Sequence, residues 1–233
     1  MFKSNGKFMT ESRKTERHLL RSLHQSTKRD YFARMNAEKP LCMRTAKEYA
    51  KEYWDGDRKY GYGGYRYDGR WRPMAQSLIE LYGLTEASSV LDLGCGKAHL
   101  LFELQKLLPG LRVKGVDFSA YALSSVPEAL SSRVEEMDLR QTPWPFENDE
   151  FDLALSLNVF HNFPLRELTE AIREMQRVAR QKYLVVESYR NEEELTQLQC
   201  WALTCASFFH VKDWEYLLET QGYTGDYEFI FFE

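Results

Sequence analysis

Between residues 89 and 188 the chain alternates short apolar runs with longer segments whose apolar positions recur every three or four residues. SVLDL (89–93), VKGVD (113–117), RVEEMD (133–138), FDLALSLN (151–158) and YLVVES (183–188) are too short for helices and read as strands. HLLFELQKLL (99–108), residues 120–130 and PLRELTEAIREMQRVAR (164–180) carry helical spacing, the first halted by Pro109-Gly110 and the second interrupted at Pro127. Such alternation predicts right-handed βαβ units, hence an α/β doubly wound, mostly parallel sheet with helices on both faces. The pattern closes with a helix over 211–221 and a strand in DYEFIFF.

Upstream the pattern differs. Ala46, Tyr49, Ala50, Tyr53 and Trp54 share one face of a helix over 44–54, and Pro73 and Gly83 bracket another over 72–82. Residues 12–35 are charged apart from Leu19, Leu20 and Leu23, which suggests a peripheral helix. Between the helices, DGDRKYGYGGYRYDGRW (55–71) holds too many Gly and Asp for a regular element and too many aromatics for a loose linker. An aromatic lid is the expectation, with an N-terminal helical and lid segment over 1–71 and the main domain over 72–233.

Composition narrows the class. The 233 residues are 43% hydrophobic and 14% aromatic, enough for one core and incompatible with global disorder. Four scattered cysteines without a CxxC pair argue against a zinc site or a disulfide framework, so no metal is expected and a reducing, cytoplasmic setting is. No apolar run approaches the roughly 20 residues of a membrane span. Net charge is −4, yet residues 1–40 hold ten Lys/Arg against four Asp/Glu. A basic head could meet nucleic acid, but the acidic body and a pI near 5.8 disfavour that partner. A small-molecule substrate and a monomer or homodimer are expected.

In a doubly wound sheet, ligands bind beyond the carboxyl ends of the strands. The first strand runs into Asp92-Leu93-Gly94-Cys95-Gly96-Lys97-Ala98, a turn whose glycines let backbone approach a ligand. Asp117 ends the second strand 25 residues later, and Asp138 ends the third 21 residues beyond that. An acid in Asp117's register can accept both hydroxyls of a ribose, although it could also cap the following helix. The third glycine of a pyrophosphate turn is replaced by His99, and Asp92 repels phosphate while welcoming an ammonium. A cationic nucleoside fits better than a dinucleotide. Cys95 has no feature that would lower its pKa and reads as a small residue, not a nucleophile.

VLDLGCGKAHLL, VKGVDFSAYAL, MDLRQTPWPFENDEFDLALSLNVFHNF and YLVVES resemble the successive motifs of class I S-adenosylmethionine-dependent methyltransferases, over roughly residues 76–188. The resemblance implies a Rossmann-like fold, S-adenosyl-L-methionine as cofactor, and methyl transfer to an O or N atom of a small polar molecule such as a sugar or another biosynthetic intermediate. It implies Asp92 beside the methionine amino group, Gly94, Cys95 and Gly96 facing the methionine and ribose, and Asp117 on the ribose hydroxyls. It also implies Phe118 against adenine, Met137, Asp138 and Leu139 framing it, and Leu157 and Asn158 at the sulfonium end. His161, just after the fourth strand, is the candidate general base, against the alternative of a cofactor ligand or loop-ordering residue. Arg58, Tyr62, Tyr65, Arg66 and Arg70 of the lid are candidate substrate-binding groups.

Residues 55–71 and the terminal GYTGDYEFIFFE look like a narrower bacterial branch associated with cell-surface glycan or small-molecule biosynthesis. The family sheet usually ends in two antiparallel-related strands, whereas only one candidate follows the last helix here. The edge is then either reduced or rebuilt by a strand from elsewhere. An RNA or protein methyltransferase, or a cofactor-binding partner protein without turnover, are the competing readings.

Overall fold

A computed structural model describes residues 14–63 and 65–233. Residues 1–13 of the basic head, with the start of the 12–35 helix expectation, lie outside the described residues. Four short helices open the described chain: α1 (Arg21–Gln25), α2 (Tyr31–Asn36), α3 (Lys39–Ala46) and α4 (Lys51–Asp55). Helix α5 (Arg72–Tyr82) follows and ends on Gly83 in the left-handed region, as the Pro and Gly signals predict. Then come β1 (Ser89–Leu93), α6 (His99–Leu107), β2 (Arg112–Asp117), α7 (Ala120–Leu123), β3 (Val134–Glu136) and β4 (Phe151–Leu157). The chain continues with α8 (Leu165–Val178), β5 (Ala179–Glu187), α9 (Glu192–Trp201), α10 (Val211–Thr220) and β6 (Asp226–Ile230).

The six strands form one sheet in the order β3-β2-β1-β4-β5-β6, every adjacent pair parallel. The order turns back between β1 and β4, which places a crevice at their carboxyl ends. Side chains alternate across the sheet. Val90, Leu153, Leu155, Tyr183 and Val185 pack towards α5, α6 and α9. Leu91, Ala154, Leu184 and Val186 pack towards α8 and α10.

The last strand is single and parallel, so the antiparallel pair is absent among the described residues. Its outer edge is occupied by residues 15–17 instead: Tyr227 N–H donates to the Thr15 carbonyl (3.1 Å) and Arg17 N–H to the Tyr227 carbonyl (2.8 Å). This corrects the peripheral reading of the head. Leu20 is buried in the core, and the fully buried Glu228 carboxylate accepts the N–H groups of Leu19 (2.7 Å) and Leu20 (3.0 Å).

Two helix expectations change, and one helix is new. The helix over 44–54 breaks into α3 and α4 around Tyr49, whose φ is 47°. The Tyr49 carbonyl is drawn away from helical pairing by the Trp54 indole N–H (3.0 Å) and the Ser119 hydroxyl. The helix over 120–130 shrinks to α7 and resumes after Pro127 as a 3₁₀ turn over Glu128–Arg133. Helix α9 was not anticipated. Its signals were present, in the Asn191 side chain that accepts the Glu194 N–H (3.0 Å) and in three acids in its first turn.

Candidate active site

The turn after β1 makes close contacts on both sides. Gly94 adopts φ 85°, and a Cβ there would lie 2.3 Å from Val159 Cγ2. Gly96 adopts φ 53°, and a Cβ there would lie 2.7 Å from the Trp54 ring. Replacing Gly94 by Ala should therefore cost about 1–3 kcal/mol through strain and overpacking, read as a lower melting temperature and as weaker cofactor binding from a displaced Val159. A variant as stable as the parent would show that Val159 yields freely.

Asp117 closes the turn from the neighbouring strand. One carboxylate oxygen accepts the Gly96 N–H (2.8 Å) and the other the Ser119 N–H (2.8 Å). These bonds oppose the upward push that burial exerts on its pKa. Asp92 lies in β1 opposite Gly115, buried, and has no such donors. Burial first, and then the charge of Asp117, push its carboxyl up to about 7. The two acids thus lack a compensating positive charge in a water-poor wall, which suits a cationic ligand. Cys95 packs its sulfur where a side chain on Gly115 would stand, and burial holds its thiol well above the usual range. That is the opposite of an activated nucleophile.

Above these groups lies a cavity of about 610 Å³. Its floor includes Asp92, Gly94, Asp117 and Asn158, and its roof is aromatic, with Tyr49, Tyr53, Trp54 and Tyr65. Tyr65 stacks on Tyr53 (centroids 5.4 Å apart) and meets Trp54 edge-on (4.6 Å). The roof is tied down where Lys97, next to the glycine turn, pairs with both Asp55 oxygens at 2.7 Å. All eleven residues expected at the cofactor line this cavity, Phe118, Met137, Leu139 and Leu157 among them. The wall thus carries a carboxylate at the end of β2 and, behind it, an acid with no hydrogen-bond donor among the described residues.

Residues 90–182 match the family model of a methyltransferase domain. The match spans about two fifths of the chain and marks this segment as similar to a methyltransferase domain. No curated protein sequence matches the chain. Among solved structures, a candidate methyltransferase from Bacillus halodurans C-125 superposes with a TM-score of 0.50 at 20% identity, covering 64% of this chain and 68% of that one. A candidate sarcosine dimethylglycine methyltransferase from Galdieria sulphuraria gives 0.50 at 15% identity, over 66% and 59% of the two chains. The YcgJ protein of Bacillus subtilis gives 0.48 at 17%, over 63% and 66%. The likenesses at 0.50 establish the fold, and the chain spans 59–68% of the length of these neighbours.

Around this cavity, some expected roles change. Asp138 lines the cavity, but its carboxylate is held by Arg140, with Nε and Nη2 each at 2.8 Å, which keeps its pKa low. An adenine amino group would have to compete with that guanidinium. His161 cannot take a substrate proton as it stands. Its Nδ1 accepts the Glu187 backbone N–H (3.1 Å), so the neutral ring carries its hydrogen on Nε2, which lies 3.5 Å from Glu187 Oε2. Burial holds the imidazole down to about 3, and it stays neutral.

The lid arginines are also corrected. Arg58 donates to the Lys28 carbonyl (2.9 Å) and lies over the Trp201 ring, and both Arg58 and Arg66 stand off the cavity wall. Arg70 reaches the wall with its guanidinium engaged by Asp68, Nε to Oδ2 at 2.8 Å. Tyr62 and Tyr65 do line the cavity. The Tyr62 oxygen accepts the Leu203 N–H (2.8 Å) and so pins the loop to the segment after α9.

Two residues at the far end went unnoticed in the sequence. Glu187, the last residue of β5, is buried against the cavity, and burial lifts its carboxyl to about 7. The strand-end rule applied to β1, β2 and β3 would have found it in YLVVES. Arg29 comes from the connection between α1 and α2, with its guanidinium over the rings of Trp201 (5.5 Å) and Phe232 (5.2 Å). No spacing signal distinguishes it from nine other basic residues in the head.

Proposed function

We propose that the protein transfers a methyl group from S-adenosylmethionine to an O or N atom of a small polar biosynthetic intermediate enclosed with the cofactor. The reading rests on one observation: a single cavity carries a nucleoside-type wall of carboxylates and glycines at one end and a separate polar end beyond it, under one aromatic roof. The aromatic roof favours a small molecule over a long nucleic acid or a folded protein. In this reading the described part of the chain up to residue 71 supplies the roof, and residues 72–233 form the catalytic domain.

Asp117 holds the ribose hydroxyls, Phe118 and Met137 pack against the base, and Asp92 faces the methionine ammonium. S-adenosylmethionine supplies an electrophilic methyl group on a sulfonium. The chain's own contribution is positioning and the exclusion of water by Tyr53, Trp54 and Tyr65, which turns an encounter of two molecules into a local displacement. His161, with its Nδ1 committed to the backbone of β5, keeps the cavity side of Glu187 in place.

Calorimetry tests this reading. S-adenosylmethionine and its demethylated product should bind, and NAD should not. In the free protein at pH 6, Asp92 is mostly protonated, since its pKa is near 7. An arriving ammonium favours the carboxylate, so binding should expel about one proton per cofactor, and fewer at pH 8. The measured enthalpy should then vary with the ionisation enthalpy of the buffer at pH 6. Tight binding with no buffer dependence would remove Asp92 from the ammonium site, and absence of cofactor binding would overturn the function itself.

A further inference from the structure

The end of the cavity remote from the glycine turn carries an acid and a guanidinium that form no ion pair with each other. Glu187 is nine-tenths buried, and its Oε2 has no hydrogen-bond partner, with His161 Nε2 at 3.5 Å. Arg29 spends its terminal nitrogens on the carbonyls of His24 and Thr27 and on His24 Nδ1. Its Nε is buried and has no hydrogen-bond partner. Among the described residues Arg29 forms no ion pair, and the one basic group paired with Glu187 is the His161 imidazole, which is neutral. Each nonetheless feels the other's charge, and both line the same cavity.

An unpaired buried charge is costly, and the usual resolution is a ligand group of opposite character. The surroundings add a shape requirement, because Trp201, Phe232, Leu20 and Leu23 present apolar or ring surfaces. We infer that this end is the acceptor subsite and that it takes a small acid with a flat, apolar body. Its anionic group is held at Arg29, and the hydroxyl or amine to be methylated hydrogen-bonds to Glu187. The inference rests on the proposed methyl transfer and names its substrate class.

In the reaction, the acceptor's O–H or N–H bond breaks and the proton passes to the Glu187 carboxylate. The freed electron pair forms the bond to the methyl carbon, and the pair of the methyl–sulfur bond stays on the departing sulfur. Burial has already brought Glu187 to about 7, in the range where a carboxylate can both accept and return a proton near neutrality. Glu187 is then the catalytic residue, and His161 is a positioning residue that acts through it.

The test is calorimetric and needs no turnover. At pH 8, with saturating S-adenosylhomocysteine, the full-length protein is titrated with 3- and 4-hydroxybenzoate, with the matching hydroxybenzamides, and with benzoate. The parent protein should take the better hydroxybenzoate about tenfold or more tightly than its uncharged amide, and more tightly than benzoate. Arg29→Gln should abolish the preference for acid over amide. Glu187→Leu, or Glu187→Gln should the leucine variant not fold, should abolish or weaken the preference for the hydroxyl. Both variants should keep their affinity for S-adenosylhomocysteine. Equal binding of acid and amide by the parent, no binding of any of the acids, or a preference that survives Arg29→Gln would overturn the subsite. Failure of S-adenosylhomocysteine itself to bind would instead overturn the methyl-transfer reading.

Discussion

Asp117→Ala should weaken S-adenosylmethionine binding by on the order of 2–4 kcal/mol, roughly 30- to 700-fold in Kd. Two losses add in the same direction. A charged acceptor for two ribose hydroxyls disappears, and so does the bridge that ties the Gly96 N–H to the Ser119 N–H at 2.8 Å each. Asp117→Asn keeps an acceptor oxygen without the charge and should fall between the parent and the alanine variant. Removing the Asp117 charge also removes the second cause of the raised Asp92 pKa, so cofactor binding at pH 6 should expel less than the parent's proton. Titration calorimetry reads both effects, and an alanine variant with the parent's affinity would remove Asp117 from the cofactor site.

Deleting residues 1–40 should be close to lethal for the fold, the reverse of what a peripheral charged segment would do. The deletion uncovers the core at Leu20 and the buried Glu228, which accepts two backbone N–H groups from that segment and the Tyr183 hydroxyl from the sheet. It also frees the outer edge of β6 and removes the Arg17–Asp226 pair at 2.9 Å. Arg34 goes as well, and it donates to the carbonyls of Arg58 (2.8 Å) and Gly61 (2.7 Å), so the roof loses its outer anchor. Burial of one leucine and several hydrogen bonds at about 1 kcal/mol each amount to on the order of 5 kcal/mol, a large share of a domain's whole stability. The expected result is a melting temperature lower by about 10–20 °C, or no cooperative transition at all. Leu20→Ala alone should cost about 2–5 kcal/mol. A truncated protein that melts with the parent would return the segment to the periphery.

The sheet was legible in the sequence alone, and so was the cluster of residues that lines the cavity beside β1 and β2, because both are written in local pattern. The α/β alternation is periodic over a few residues, and every strand it predicts from SVLDL to DYEFIFF has its counterpart in β1 to β6. The glycine turn, Asp92 inside β1, Asp117 at the end of β2 and Asp138 just after β3 follow from their places within single βαβ units, which is why they line one cavity. Gly94 and Gly96 could be read as necessary without knowing that Val159 and Trp54 would be what crowds them.

What depends on contacts between distant segments came from the fold alone. Residues 15–17 complete the sheet edge beside β6 some 210 positions later, and nothing in their composition marks a strand. Arg29 becomes part of the cavity because Trp201 and Phe232 lie beneath its guanidinium, and Arg58 leaves it because the Lys28 carbonyl and the same tryptophan take it elsewhere. His161 shows the limit most plainly. A histidine after a fourth strand suggests a base, but a ring nitrogen's role is set by which hydrogen bond it makes, and the Glu187 backbone N–H takes the Nδ1 lone pair. The chemistry that sequence reasoning placed on the imidazole passes to the carboxylate it faces, a group whose raised pKa arises from burial and therefore from the fold.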